Sequence, residues 1–144
     1  MQSLHLYRNF LVYFDGKSKF TTYNVFSDEL ILSDYNVLNV SSYNFVNNSI
    51  IVSINNKIIS HNIINGNIFW DINVEGIIDK KDKIIKIQNL NDYLYIFINN
   101  GKVIVIKDKK IFKVLDIKIK NINLIYFQNN KLFASLDNGK TILY

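Results

Sequence analysis

The chain has 144 residues, of which 49% are hydrophobic and 20% charged, with a formal net charge of +5, no cysteine and no proline. This length and apolar content belong to a globular chain with a real core, and the absence of cysteine excludes disulfides, thiolate metal sites and cysteine nucleophiles. No uninterrupted apolar run approaches the ~18 residues that would cross a bilayer as a helix.

Residues 1–9 carry no basic stretch followed by an apolar segment of the secretory type, and no cysteine is present to carry a lipid, so a soluble chain is expected. The positive balance is weak evidence for a nucleic-acid partner. Isoleucine and asparagine make up about a third of the residues, a bias of AT-rich coding that also inflates lysine. The densest lysines, Lys80, Lys81 and Lys83, are interrupted by Asp79 and Asp82, and Arg8 is the one arginine for bidentate contacts. No nucleic-acid partner is expected.

Taken in chain order, the apolar runs group into repeated sets. The first set predicts strands at 4–7, 10–14, 19–25 and 29–33, with a polar turn at Arg8-Asn9 and a second turn at Asp15-Gly16. The second predicts strands at 43–46, 50–54, 57–60 and 67–74, with turns at Asn47-Asn48 and Asn55-Asn56. The third predicts 84–90, 93–98, 102–106 and 111–117, around Asn91-Asp92 and Asn100-Gly101. The fourth, 124–128, 132–136 and 140–143 around Asn129-Asn130 and Asn138-Gly139, has three strands. Spacings of two dominate over those of three and four, and β-branched and aromatic residues fill these runs, so strands are favoured over helices.

The second turn of each set recurs at intervals of 40, 45 and 38 residues. Asn-Gly and Asp-Gly pairs suit a type I′ hairpin, in which both central residues take positive φ. A hairpin repeat of about forty residues points to propeller blades, which need neighbours to bury both faces. The run Tyr93, Leu94, Tyr95, Ile96, Phe97, Ile98 is apolar on both faces and must lie between layers. A β-sandwich satisfies the strand count but has no need of one period with one strand order. The expected fold is all-β: β-propeller-type blades of four-stranded antiparallel meanders, about three and a half of them, in a single domain over 1–144 with repeats near 1–40, 41–80, 81–119 and 120–144.

From Asn62 the second repeat reads NIINGNIFWDINV. Asn62, Asn65, Gly66 and Trp70 stand at the positions and spacing of the pyrroloquinoline-quinone-type propeller repeat, which this segment resembles. There Gly66 would permit a tight turn and Trp70 would carry apolar area into a neighbouring blade. Over roughly 40–144 the arrangement also resembles the C-terminal half of the BamB family, propeller lipoproteins of the machinery that assembles outer-membrane β-barrels. That resemblance implies an eight-bladed ring, a periplasmic location, no catalysis and a scaffold role toward protein partners. With about half a ring of blades, the chain is expected to be a fragment, or to complete its ring with another chain or a second copy.

Candidate chemistry is sparse. His5 and His61 lie in or beside apolar strands more than a repeat apart, with no converging ligand, and solvent-facing rings at sheet edges are expected. Asp71, Glu75, Asp79 and Asp82 read as a charged loop between blades. Tyr93, Tyr95, Phe97, Tyr126 and Phe127 read as packing between blades rather than as stacking platforms. Ser135 and Thr141 have no recognisable base partner, and no phosphate loop or nucleophile elbow occurs. Quinone enzymes share the repeat but add metal-ligating groups and often paired cysteines that are missing here. The expectation is therefore a non-catalytic protein-binding scaffold without cofactor or metal. An independent interaction propeller is the alternative, and a quinone-dependent dehydrogenase fragment the third reading.

Overall fold

Fifteen strands and no helix make up the described residues, 2–128 and 131–143, of the computed structural model. The first sheet contains β1 (Ser3–Tyr7), β2 (Phe10–Phe14), β3 (Lys19–Asn24) and β4 (Glu29–Asn36), and the second β5 (Ser42–Val46), β6 (Ser49–Ile54), β7 (Lys57–Asn62) and β8 (Ile68–Asn73). The third contains β9 (Ile84–Leu90), β10 (Tyr93–Ile98), β11 (Lys102–Lys107) and β12 (Lys110–Asp116), and the fourth β13 (Ile122–Gln128), β14 (Lys131–Leu136) and β15 (Thr141–Leu143). Each is an antiparallel meander whose spatial order follows the chain. These are the four sets of strands expected from the sequence, and the fourth sheet has three strands. The largest boundary difference is in β4, which runs on to Asn36 because Tyr35 pairs with Phe20 beyond an irregularity in register.

The turns differ from the expected type. Among Asp15-Gly16, Asn55-Asn56, Asn100-Gly101 and Asn138-Gly139, only Gly16, Asn55, Gly101 and Gly139 have positive φ, one per turn. Type I′ needs two. In the third and fourth sheets the connections are three-residue loops, closed by the Gly101 N–H donating to the Ile98 carbonyl and the Gly139 N–H donating to the Leu136 carbonyl. A type I turn followed by a left-handed glycine satisfies such a loop. The fourth polar turn, Asn129-Asn130, lies outside the described residues. The pair with both φ values positive is Asp108 (50°) and Lys109 (62°), the two-residue link from β11 to β12. No glycine marks it in the sequence, and a lysine there bears the left-handed strain itself. Lys109→Gly is expected to raise stability by about 0.5–1 kcal/mol, measured by chemical denaturation; an unchanged midpoint would mean the turn is already relaxed.

At the β2–β3 connection the Asp15 carboxylate accepts the N–H groups of Lys17, Ser18 and Lys19 at 2.8, 2.8 and 3.0 Å. Partial burial works against the charge, but these donors outweigh it and Asp15 falls to about 2. A carboxylate stabilised in the folded state contributes above its unfolded value near 4 and loses that contribution as the pH falls toward 2. Asp15→Ala is expected to cost about 1 kcal/mol at pH 7, because the group is largely open to solvent and each such bond contributes modestly. The deficit relative to wild type should shrink steadily between pH 4 and 2, as read from urea midpoints; a pH-independent deficit would sink the assignment.

The chain divides into two compact units, 1–73 and 74–144, each with two sheets. In the first unit Val12, Phe14 and Phe20 of one sheet meet Ile50 and Val52 of the next, with Val37 and Ile63 from connecting segments. The fully buried Thr22 hydroxyl donates to the Ile63 carbonyl, so a polar group at this contact has its partner. In the second unit Phe97 and Val103 pack with Ile122, Ile125 and Ala134, closed by Ile117 and Ile119. In both units the alternation of strand side chains decides which residues go inward: β2 buries Val12 and Phe14 and leaves Tyr13 exposed.

Candidate interaction surfaces

The residues singled out from sequence lie in β7, in the β7–β8 turn and in β8. Asn62 and Asn65 accept the N–H groups of Ile64 and Asn67, at 2.7 and 3.0 Å, in the β7–β8 turn. Gly66 has φ +76°, and a Cβ there would stand 2.2 Å from the Tyr35 ring. Trp70 lies in β8 opposite Ser60 and is half-buried.

His61 differs from expectation: it is buried, not solvent-facing. β7 is an inner strand of its sheet, and His61, near its end and paired with Ile50 and Ile68, has its ring inside the sheet packing. Tyr35 meets it edge-on at 5.8 Å, and Nδ1 lies 3.1 Å from the Gly66 carbonyl. Burial lowers its pKa more than that bond raises it, which favours the neutral ring. His5 stacks on Phe45 with ring centroids 4.5 Å apart. The two histidines thus pack on different partners. Among the described residues no group of three or more His, Asp or Glu is placed to hold a metal, and no helix is long and apolar enough to cross a membrane.

The acidic residues do not form one loop. Asp71 lies in β8, 3.8 Å from the Lys57 ammonium, because the strand extends through it. Asp79 and Asp82 lie in the turn before β9, where Asp82 accepts the Asn100 amide at 2.7 Å. With Asp116, Lys81, Lys102 and Lys120 they border a polar cleft of about 520 Å³ in the second unit. Its charges are largely used internally: the Lys102 ammonium donates to the Ile77 carbonyl at 3.0 Å, and the Lys118 backbone N–H and ammonium hold Asp116 below the usual carboxylate range. Interleaved signs give neither a strong anion site nor a strong cation site.

A second cleft, of about 550 Å³, opens between the third and fourth sheets. Leu90, Tyr95, Phe97 and Leu115 form one wall, and Phe127 and Leu132 the other. The Phe97 and Phe127 rings meet at 5.6 Å and 60°. Behind them the Lys86 ammonium donates to the Ile125 carbonyl at 3.2 Å and lies 5.8 Å from the Phe127 ring. Burial lowers the Lys86 pKa. Gln88 and Gln128 supply amides, and among the described residues no acid, histidine or serine lines the space. Such a lining suits an apolar side chain flanked by peptide groups rather than bond-making chemistry. The sequence had shown Tyr95, Phe97 and Phe127 as packing residues; which of them border open space depends on how far two sheets diverge.

Two sheet faces also stand open. On the first sheet, Leu4 and Leu6 lie opposite Tyr13 and Leu11 on the side away from Val12 and Phe14, with Leu6 63% exposed. On the fourth, Tyr126 and Phe133 stack at 5.0 Å on the side away from Ile125 and Ala134, beside Leu124 and Leu143, each 55% exposed.

No protein-family model and no curated protein matches the chain. Solved structures do. BamB from Moraxella catarrhalis matches with TM-score 0.67 and 12% identity, over 98% of this chain and 41% of BamB. The Pan2 WD40 domain of Neurospora crassa matches with TM-score 0.60 and 14% identity, over 99% of this chain and 45% of that one. The computationally designed Ika4 protein matches with TM-score 0.64 and 13% identity, over 98% of this chain and 88% of Ika4. The chain thus spans less than half the length of the two natural proteins. At these identities the likeness concerns the fold, which is all-β with propeller-type sheets.

Proposed function

We propose that this chain is a non-catalytic scaffold that binds protein partners. The observation that carries this reading is the cleft between the third and fourth sheets, where exposed Phe127, Leu90 and Leu115 border an apolar, aromatic space whose lining has Gln88, Gln128 and Tyr95 as its polar residues. Propeller-type sheets hold such a surface rigid, so little ordering opposes binding of an extended peptide. The test is selection of displayed peptides on the immobilised chain, followed by titration of the selected peptides against Phe127→Asp and Leu115→Asp. Binders with an apolar anchor, weakened tenfold or more by either variant while its circular dichroism stays native, support the reading. Binders indifferent to both variants, or none at all, defeat it.

The finer assignment within this proposal is a role similar to the propeller subunit of outer-membrane barrel assembly, on the periplasmic side. Its support is the likeness to BamB over 98% of the chain. Titration with the soluble periplasmic modules of a barrel-assembly subunit checks it, and absence of binding favours an independent interaction module, to which the comparable likeness to the Pan2 WD40 domain also points.

A further inference from the structure

We propose that the cleft between the third and fourth sheets takes an extended peptide whose apolar anchor residue is flanked by Asp or Glu. This rests on the scaffold reading and names the chemistry of its partner. The cleft walls supply the anchor site, and the strands beside them supply the charge. On the third sheet Lys86 stands opposite Phe97, Lys113 opposite Val105, and Lys107 opposite Lys110. Val105 is itself opposite Tyr95, and Lys107 is two residues on from Val105, so these lysines share one side of the sheet with the cleft wall. Three of the ammonium groups rest over rings. Lys107 lies 5.1 Å from the Tyr93 ring and 3.5 Å from its hydroxyl, Lys86 lies 5.8 Å from the Phe127 ring, and Lys113 lies 5.8 Å from the Phe112 ring. Such seating holds a cation beside an apolar surface, where its field is less screened than in open water.

The acids of the same unit are placed differently. The described strands β9–β15 contain a single acid, Asp116, which alternates with Leu115, stands opposite Lys102 and pairs with Lys118. Asp79 and Asp82 border the polar cleft, Glu75 precedes them in the chain, and Asp137 follows β14 at the end of the fourth sheet that holds Ile122. Asp92 and Asp108, in the turns after β9 and β11, are the acids at the Leu90 end, where Lys107, Lys109 and Lys110 outnumber them. An anionic partner is therefore attracted to this side of the sheet and a cationic one repelled. The lining sets the rest of the partner's chemistry. Exposed Leu90, Leu115 and Phe127 reward an apolar side chain, and the amides of Gln88 and Gln128 can pair with the N–H and C=O groups of an extended backbone. The aliphatic share of that lining favours a peptide over a nucleic acid, whose bases stack on rings and draw little from leucines.

Displayed peptides selected on the full chain, then resynthesised as selected and with every Asp or Glu replaced by Asn or Gln, test the proposal in titrations read by fluorescence anisotropy. The neutralised form should bind about tenfold more weakly, and the difference should shrink in about 0.5 M salt. A variant carrying both Lys110→Glu and Lys113→Glu, at exposed positions, should lose about tenfold toward the acidic form and less than about twofold toward the neutralised one. Equal loss of both forms with native circular dichroism, or loss of neither, overturns the proposal; if the variant fails to fold, the comparison of the two peptide forms on the wild-type chain decides. Apolar-anchored peptides that bind equally well in both forms overturn the charge requirement and leave the scaffold reading standing, whereas the absence of any apolar-anchored binder overturns both. Displacement of the acidic peptide by an equal concentration of single-stranded oligonucleotide would make nucleic acid the occupant, and the proposal would be wrong.

Discussion

Gly101→Ala is expected to cost about 3 kcal/mol, while Gly139→Ala at the equivalent turn of the fourth sheet costs about 1 kcal/mol. Both glycines have positive φ, +89° and +80°, so both variants bear backbone strain. Their surroundings differ. A Cβ on Gly101 would stand 2.0 Å from the Ile119 carbonyl oxygen, whereas nothing lies within 4 Å of one on Gly139. The Ile119 backbone cannot yield easily, since the same strand connection is tied by the Ile117 N–H to the Gly101 carbonyl at 3.0 Å and by the Ile122 N–H to the Asn99 carbonyl at 2.9 Å. Urea denaturation of the two variants side by side gives the comparison. Equal losses would show that strain alone matters and that the connection gives way.

Phe20→Ala should destabilise by about 3–5 kcal/mol, and Phe26→Ala by no more than about 0.5 kcal/mol. Phe20 lies in β3, fully buried in the cluster with Phe14 and Ile50, its ring 5.1 Å from that of Tyr35. Phe26 lies just past the end of the same strand and is 87% exposed. Removing the first ring leaves a cavity between two sheets, and removing the second leaves only water where water already was. Thermal or urea unfolding of both variants decides; a loss below about 1 kcal/mol for Phe20→Ala would mean that the sheets close over the gap.

These pairs also show where local sequence ceases to inform. Phe20 and Phe26 have the same side chain within one strand and its turn, and Gly101 and Gly139 follow the same Asn-Gly pattern. What separates their fates comes from residues distant in the chain. Strand positions were legible because a period of two and polar turns are local properties, and so was the three-stranded fourth sheet. The β11–β12 turn was not legible, because Asp108-Lys109 is forced into two left-handed residues by strand register against its own preference. His61 was misplaced for a related reason: a polar residue in an apolar strand reads as solvent-facing until residues from a neighbouring sheet pack over it.

The candidate surfaces divide in the same way. Tyr95, Phe97 and Phe127 were legible as apolar and aromatic, but whether such residues pack or border a cleft follows from the distance between two sheets, which no strand sets alone.

By itself the sequence determined the strand pattern, the forty-residue period, the absence of cysteine chemistry and the all-β class, because these depend on side-chain alternation and turn residues within a few positions of one another. The tertiary structure alone decided which glycine is crowded, which phenylalanine fills a core, which histidine is buried and which apolar faces stay open, because each of these is a contact between segments that chain folding, not local preference, brings together.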